Sequence, residues 1–165
     1  MKVKEVIRYR LAISHTFPAT HPRRGELTFF NEMILGSEVV KSKKIHTIRG
    51  NYDLWAKRFE KINKGEAVLE LYQWSGKPFK SPAISILQLG KDDGIGIQKL
   101  LGIDFALGPH VIIKTETTLP MPKYDNVLIA ELAKNDGLSL DDFKPWFKNY
   151  VSEPMAIIHF TKFRY

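Results

Sequence analysis

Between residues 67 and 101 the chain carries three strand candidates separated by turns too short for a helical crossover. "AVLELYQW" alternates apolar and polar residues, "SGKP" turns, and "SPAISILQLGKDDGIGIQKLL" reads as two apolar strands around "KDDG", a hairpin signal. Connections this short join antiparallel neighbours, because parallel pairing needs a crossover of a dozen or more residues. A further strand is expected at "HVIIKTE" and the last at "MAIIHFTKF". Helical spacing appears in "ELTFFNEMILG", where Leu27, Phe30, Met33 and Ile34 recur and Gly36 is the stop. "YDLWAKRFEKINKGE" is a short amphipathic stretch, and "NVLIAELAKNDG" predicts a helix ended by Gly137. "SLDDFKPWFKNY" predicts another, with Ser139 as N-cap and Asp142 three residues on. Five or six strands and three helices in no strict βαβ order predict an α+β domain around a small, mostly antiparallel barrel.

A length of 165 residues suits one domain, spanning 1–165, with residues 1–26 as an N-terminal extension. Within that extension "FPATHPRRGE" (17–26) reads as a loop. No apolar run approaches the roughly 20 residues needed to cross a bilayer, and "MKVKEVIRYRLAIS" interleaves charge with apolar residues, unlike a signal peptide. A cytoplasmic protein with no membrane partner is the expectation. The absence of cysteine excludes disulfides and thiolate metal sites. Five histidines show no metal-type spacing and there is no Gly-rich phosphate loop, so neither metal nor cofactor is expected. The net charge of +7 favours a polyanionic partner such as RNA.

The densest polar cluster is "KSKKIHTIRG", which gathers Lys43, Lys44, His46, Thr47 and Arg49. A threonine hydroxyl becomes a nucleophile when a base takes its proton, and a lysine serves as that base when desolvation and nearby cations depress its pKa. Arg49 presents a fixed fork for a phosphate or a base carbonyl. In a strand, Lys44, His46 and Ile48 share one face and Thr47 and Arg49 the other, so shared chemistry requires a bend between them. The competing reading is a solvated basic strand end. Glu70, Glu131 and Asp136 are the candidate acids, and Tyr52, Trp55, Tyr72 and Trp74 the aromatics that could stack on a base.

Four motifs in order, "LTFFNEMILG", "KIHTIR", "INKGEAVLEL" and "AKNDGLSLDDFKPWF", resemble the ASCH domains, relatives of the PUA fold. The likeness covers a body of residues 27–163, apart from 91–125. It implies a PUA-like β-barrel with flanking helices and a basic cleft that handles RNA or a nucleobase. Across "KIHTIR" the chain is similar to the small N4-acetylcytidine amidohydrolases of that family. That similarity implies Lys44 as base, Thr47 as nucleophile and Arg49 as a substrate or structural anchor. Their catalytic glutamate falls at Asp136, one methylene shorter, as proton donor to the leaving amine.

Three functions follow as expectations: a module binding RNA or a modified nucleobase through Arg49, Lys43, Tyr52 and Trp74; an amidohydrolase on an N4-acylated cytidine through Lys44, Thr47 and Asp136; or a non-enzymatic interaction domain.

Overall fold

The computed structural model describes residues 5–115, 121–148 and 154–165. Among them are eight strands in two sheets and four helices, an α+β arrangement. The smaller sheet has the order β1-β3-β4, from β1 (Ile7–Ala12), β3 (Ala67–Trp74) and β4 (Ala83–Leu89). The larger has the order β2-β8-β5-β6-β7, from β2 (His46–Arg49), β8 (Met155–His159), β5 (Gly96–Leu100), β6 (His110–Thr115) and β7 (Lys123–Leu128). Every pair in the larger sheet is antiparallel, whereas β1 runs parallel to β3. Between β2 and β5 in the larger sheet, β8 is buried along its whole length, as a strand covered on both faces must be.

Four helices form within the expected stretches, the first shorter than its spacing implied: Leu27 is exposed and makes a β-bridge with Thr16 instead. In α1 (Phe30–Leu35) the chain leaves the helix at Gly36 in the left-handed region. Helix α2 (Tyr52–Asn63) buries Trp55, Phe59 and Ile62, one stripe at i, i+4, i+7, and Asn51 caps it by accepting from the Leu54 N–H. Helix α3 (Ile129–Asn135) ends in a Schellman turn: the Leu138 N–H reaches the Ala133 carbonyl and the Gly137 N–H the Lys134 carbonyl. Ser139 caps α4 (Leu140–Phe147) by accepting from the Asp142 N–H at 3.1 Å.

Three expectations are corrected. The strands around "KDDG" do not form a hairpin. The turn itself is present, with the Asp93 carboxylate accepting from the Gly90 N–H, but it passes the chain from one sheet to the other. There β5 finds a fully buried partner in β8, with Gly96 opposite His159. Residues 126–128 extend β7 rather than α3, because Val127 alternates inward opposite Val111. The N-terminal extension contains β1, in register with β3 from Ile7 opposite Ala67. The mixed α+β content is as expected, and the strands of the described residues fall into two sheets. Glu116, Asn149 and Tyr150, the ends of two expected elements, lie outside the described residues.

Candidate functional site

The segment before β2 is pinned by its backbone. Ile45 donates its N–H to the Asn135 carbonyl at the end of α3, and its own carbonyl accepts from the Phe160 N–H. Lys44 is thereby held against the α3 turn. Its amine donates to the Asp136 carboxylate at 2.7 Å and to the Asp136 carbonyl at 2.6 Å. Both side chains are buried. Although Asp136 is one methylene shorter than glutamate, it reaches the amine because the helix end brings its backbone to the same point. Gly137 makes that approach possible: its φ is +80°, and a Cβ there would stand 2.9 Å from the Met33 sulfur and 3.2 Å from the Lys44 Cβ.

The strand proper begins at His46, after Lys44, so strict alternation does not separate Lys44 from Thr47. Lys44, Thr47, Arg49 and Asp136 line one cleft together with Ile13, Ser14, Phe30, Trp146 and Phe147. Its volume is about 10 Å³, room for about one water. Lys44 and Thr47 share this cleft without hydrogen bonding to each other: the amine is engaged by Asp136, and the Thr47 oxygen accepts from Arg49 Nη1 at 2.9 Å. Arg49 Nη2 donates to the Ala12 carbonyl at 2.6 Å, which joins the end of β2 to the end of β1 and hence one sheet to the other.

The electrostatics are those of a desolvated pair. Burial, with a smaller contribution from Arg49, holds the Lys44 amine below the ordinary lysine range against the opposing pull of Asp136. Burial alone would raise the Asp136 carboxyl; the Lys44 ammonium and His46 outweigh it, and the group stays below the usual carboxylate range. A buried lysine next to a depressed carboxylate in a cleft is the arrangement expected of functional chemistry. The Lys44 amine also lies 4.2 Å from the centre of the Phe30 ring.

His46 Nδ1 lies 3.6 Å from Asp136 Oδ1, and its Nε2 shares a 2.7 Å hydrogen bond with the Tyr165 hydroxyl, which also accepts from Asn135 at 3.0 Å. Burial lowers the His46 pKa. Beside it His159 is pushed down to about 2, by burial first and then by His46 and Arg164. This polar layer behind the pair was only half visible in the sequence: His46 lies inside the quoted cluster, but nothing tied Tyr165 or Asn135 to it.

The other candidates are dispersed. Lys43 is exposed on a different depression, with Lys41, Lys134 and Ser139. Tyr52 sits beside Asn51, Asp53 and Pro154, with the Lys99 amine 5.1 Å from its ring centre. Glu70 is buried in the smaller sheet, where it accepts from Arg10 Nε at 3.0 Å, and Glu131 is exposed. Trp74 lines a groove of about 730 Å³ that shares Ile13 and Ser14 with the cleft.

Known protein families, curated proteins and solved structures provide no match. The functional reading therefore rests on this geometry. No helix among the described residues is long and apolar enough to cross a membrane.

Proposed function

We propose that the chain is an ASCH-type domain whose cleft binds an N-acylated nucleobase or nucleoside and hydrolyses its amide. The two sheets, joined through Arg49, are on this reading the halves of a PUA-like barrel. One observation carries the proposal: a buried lysine and a threonine hydroxyl, non-adjacent in the chain, line one small cleft with Asp136 and Arg49. A solvated strand end would leave Lys44 exposed, and a lysine that clamps RNA phosphates needs to reach them. Lys44 is 4% exposed and Arg49 is engaged with protein oxygens, which favours small-molecule chemistry over a phosphate clamp.

In its neutral form the Lys44 amine has two N–H bonds, matched by the two Asp136 oxygens, and one lone pair left to accept a proton. That lone pair takes the Thr47 hydroxyl proton as the oxygen attacks the amide carbonyl. Arg49, already donating to that oxygen, stabilises its developing negative charge. The tetrahedral intermediate collapses by breaking the carbon–nitrogen bond, and the Lys44 ammonium returns the proton to the leaving amine. Water then attacks the acyl-threonine, giving a proton to Lys44; the carbon–oxygen bond to Thr47 breaks, the acid leaves, and the Lys44 ammonium returns that proton to the Thr47 oxygen. The Lys44 ammonium and His46 favour the ionised form of Asp136, so on this reading its role is to position and compensate Lys44 rather than to donate the proton itself. Ser14 and Trp146, which line the cleft, are the candidates on this reading to donate to the oxyanion.

The test is acetate release from N4-acetylcytidine by the wild type, Lys44→Ala and Thr47→Ala. Each substitution is expected to lower turnover by on the order of 10²–10⁴-fold. No release by the wild type overturns the hydrolysis, and release unchanged in both variants overturns the site. The net charge of +7 favours a second reading, RNA binding, which predicts no turnover and an affinity that falls steeply with salt.

A further inference from the structure

The cleft is too small for a nucleobase. With room for about one water, it can admit the reacting acyl carbonyl but not the ring that bears it. The neighbouring groove has the volume of a ligand site, and the two meet at Ile13 and Ser14. One wall is the segment from Ala12 to Ala19, and the other is Trp74 with the Gly76–Phe79 turn.

Phe79 on that turn is out of place by structural criteria. Its side chain is 88% exposed, and its backbone has φ +63°, a left-handed conformation that a bulky residue rarely adopts. The turn fixes it there. Ser81 Oγ donates to the Lys77 carbonyl at 2.9 Å and accepts from the Gly76 N–H at 3.0 Å, while the Lys80 N–H reaches the Lys77 carbonyl at 3.1 Å. The Phe79 ring stands 5.2 Å from the Trp74 ring at 51°, so two aromatic groups border the groove beside the Lys77 cation. An exposed ring held at a strained position beside a groove is a feature that burial does not explain and ligand contact does.

We propose that this groove is the ring-binding subsite and that it takes a nucleotide: the heteroaromatic base stacks on Phe79 and Trp74, its acyl amide passes Ser14 into the cleft, and the phosphate pairs with Lys77. The assignment rests on the hydrolytic reading above and specifies its substrate as a phosphorylated nucleoside rather than a free base. Planar bases stack on aromatic side chains whatever their sequence, and a lysine meets phosphate as a point charge.

The test is calorimetric titration with N4-acetylcytidine 5′-monophosphate and with N4-acetylcytidine, using wild type, Phe79→Gly and Lys77→Ala. Glycine relieves the left-handed backbone, so Phe79→Gly is expected to fold at least as well as the wild type. It should weaken nucleotide binding by roughly 5- to 150-fold, the range of one base–aromatic stack. Lys77→Ala should abolish the preference for the nucleotide over the nucleoside. Equal nucleotide affinity in wild type and Phe79→Gly overturns the subsite, and equal affinity of the wild type for both probes overturns the phosphate assignment. Parallel acetate assays separate this from the hydrolytic reading. Phe79-dependent binding without turnover keeps the subsite and removes the hydrolysis. Turnover with a KM unchanged by Phe79→Gly keeps the hydrolysis and removes the subsite.

Discussion

Removing either member of the Lys44–Asp136 pair should cost far more stability than removing both. The two charges face each other at 2.7 Å in a buried setting, so deleting one leaves the other buried without its counter-charge. Breaking a buried pair in this way costs about 3–5 kcal/mol, whereas replacing the whole pair by apolar groups is close to neutral. In a chain of this length 1 kcal/mol moves the melting temperature by roughly 2–4 °C, so losing one member of the pair should lower Tm by about 6–20 °C. Lys44 can limit its penalty by shedding its proton, its pKa already being depressed by burial, so Lys44→Met is expected at the upper end of the cost and Asp136→Ala at the lower. The assay is urea unfolding of wild type, Lys44→Met, Asp136→Ala and the double variant, followed by tryptophan fluorescence. The double variant should recover most of the loss, giving a coupling energy above about 2 kcal/mol. Additivity within about 0.5 kcal/mol would refute the reasoning, because it would mean that the two groups do not depend on each other.

Acid should destabilise the fold well above the carboxylate range. His46 and His159 both titrate lower in the folded state than the ordinary value near 6.5, so the unfolded chain binds more protons and stability falls as pH drops below about 6.5. Urea midpoints at pH 7 and pH 5 should show the fall, and His159→Gln should flatten it; an unchanged slope would count against His159. Gly137→Ala should lower stability by about 1–3 kcal/mol, since alanine meets both the +80° φ and the Met33 sulfur, and thermal unfolding measures it. Tyr165→Phe should cost about 1–3 kcal/mol by leaving buried His46 Nε2 without its 2.7 Å partner, read from the same urea titrations.

Local signals carried most of the elements. Gly36 and Gly137 ended helices in the left-handed conformation that glycine adopts most readily, and Ser139 capped α4 as its chemistry requires. Long-range pairing was not legible. "IRYRLA" alternates as a strand does, Ile7, Tyr9 and Leu11 against Arg8 and Arg10, but its parallel pairing with β3 depends on a partner 60 residues away. The "KDDG" turn looked like a hairpin because a turn signal reports a reversal and not which sheet receives the next strand. At the site, the cluster from Lys44 to Arg49 was conspicuous in one dimension. The contribution of Asp136 required knowing that the α3 turn packs against residue 44, a contact across 92 positions. Phe79 gave no signal at all, since exposure and a left-handed φ are properties of the folded chain.

The central claim is that Thr47 attacks the acyl carbon while Lys44 holds its proton. Rapid quenching during turnover of N4-acetylcytidine, followed by peptide mass mapping, tests it most directly. The account predicts an acetyl group on the Thr47 hydroxyl that is absent in Thr47→Val and does not form in Lys44→Ala. An acetyl group found on Ser14 instead, or acetate released at the wild-type rate by Thr47→Val, would contradict it.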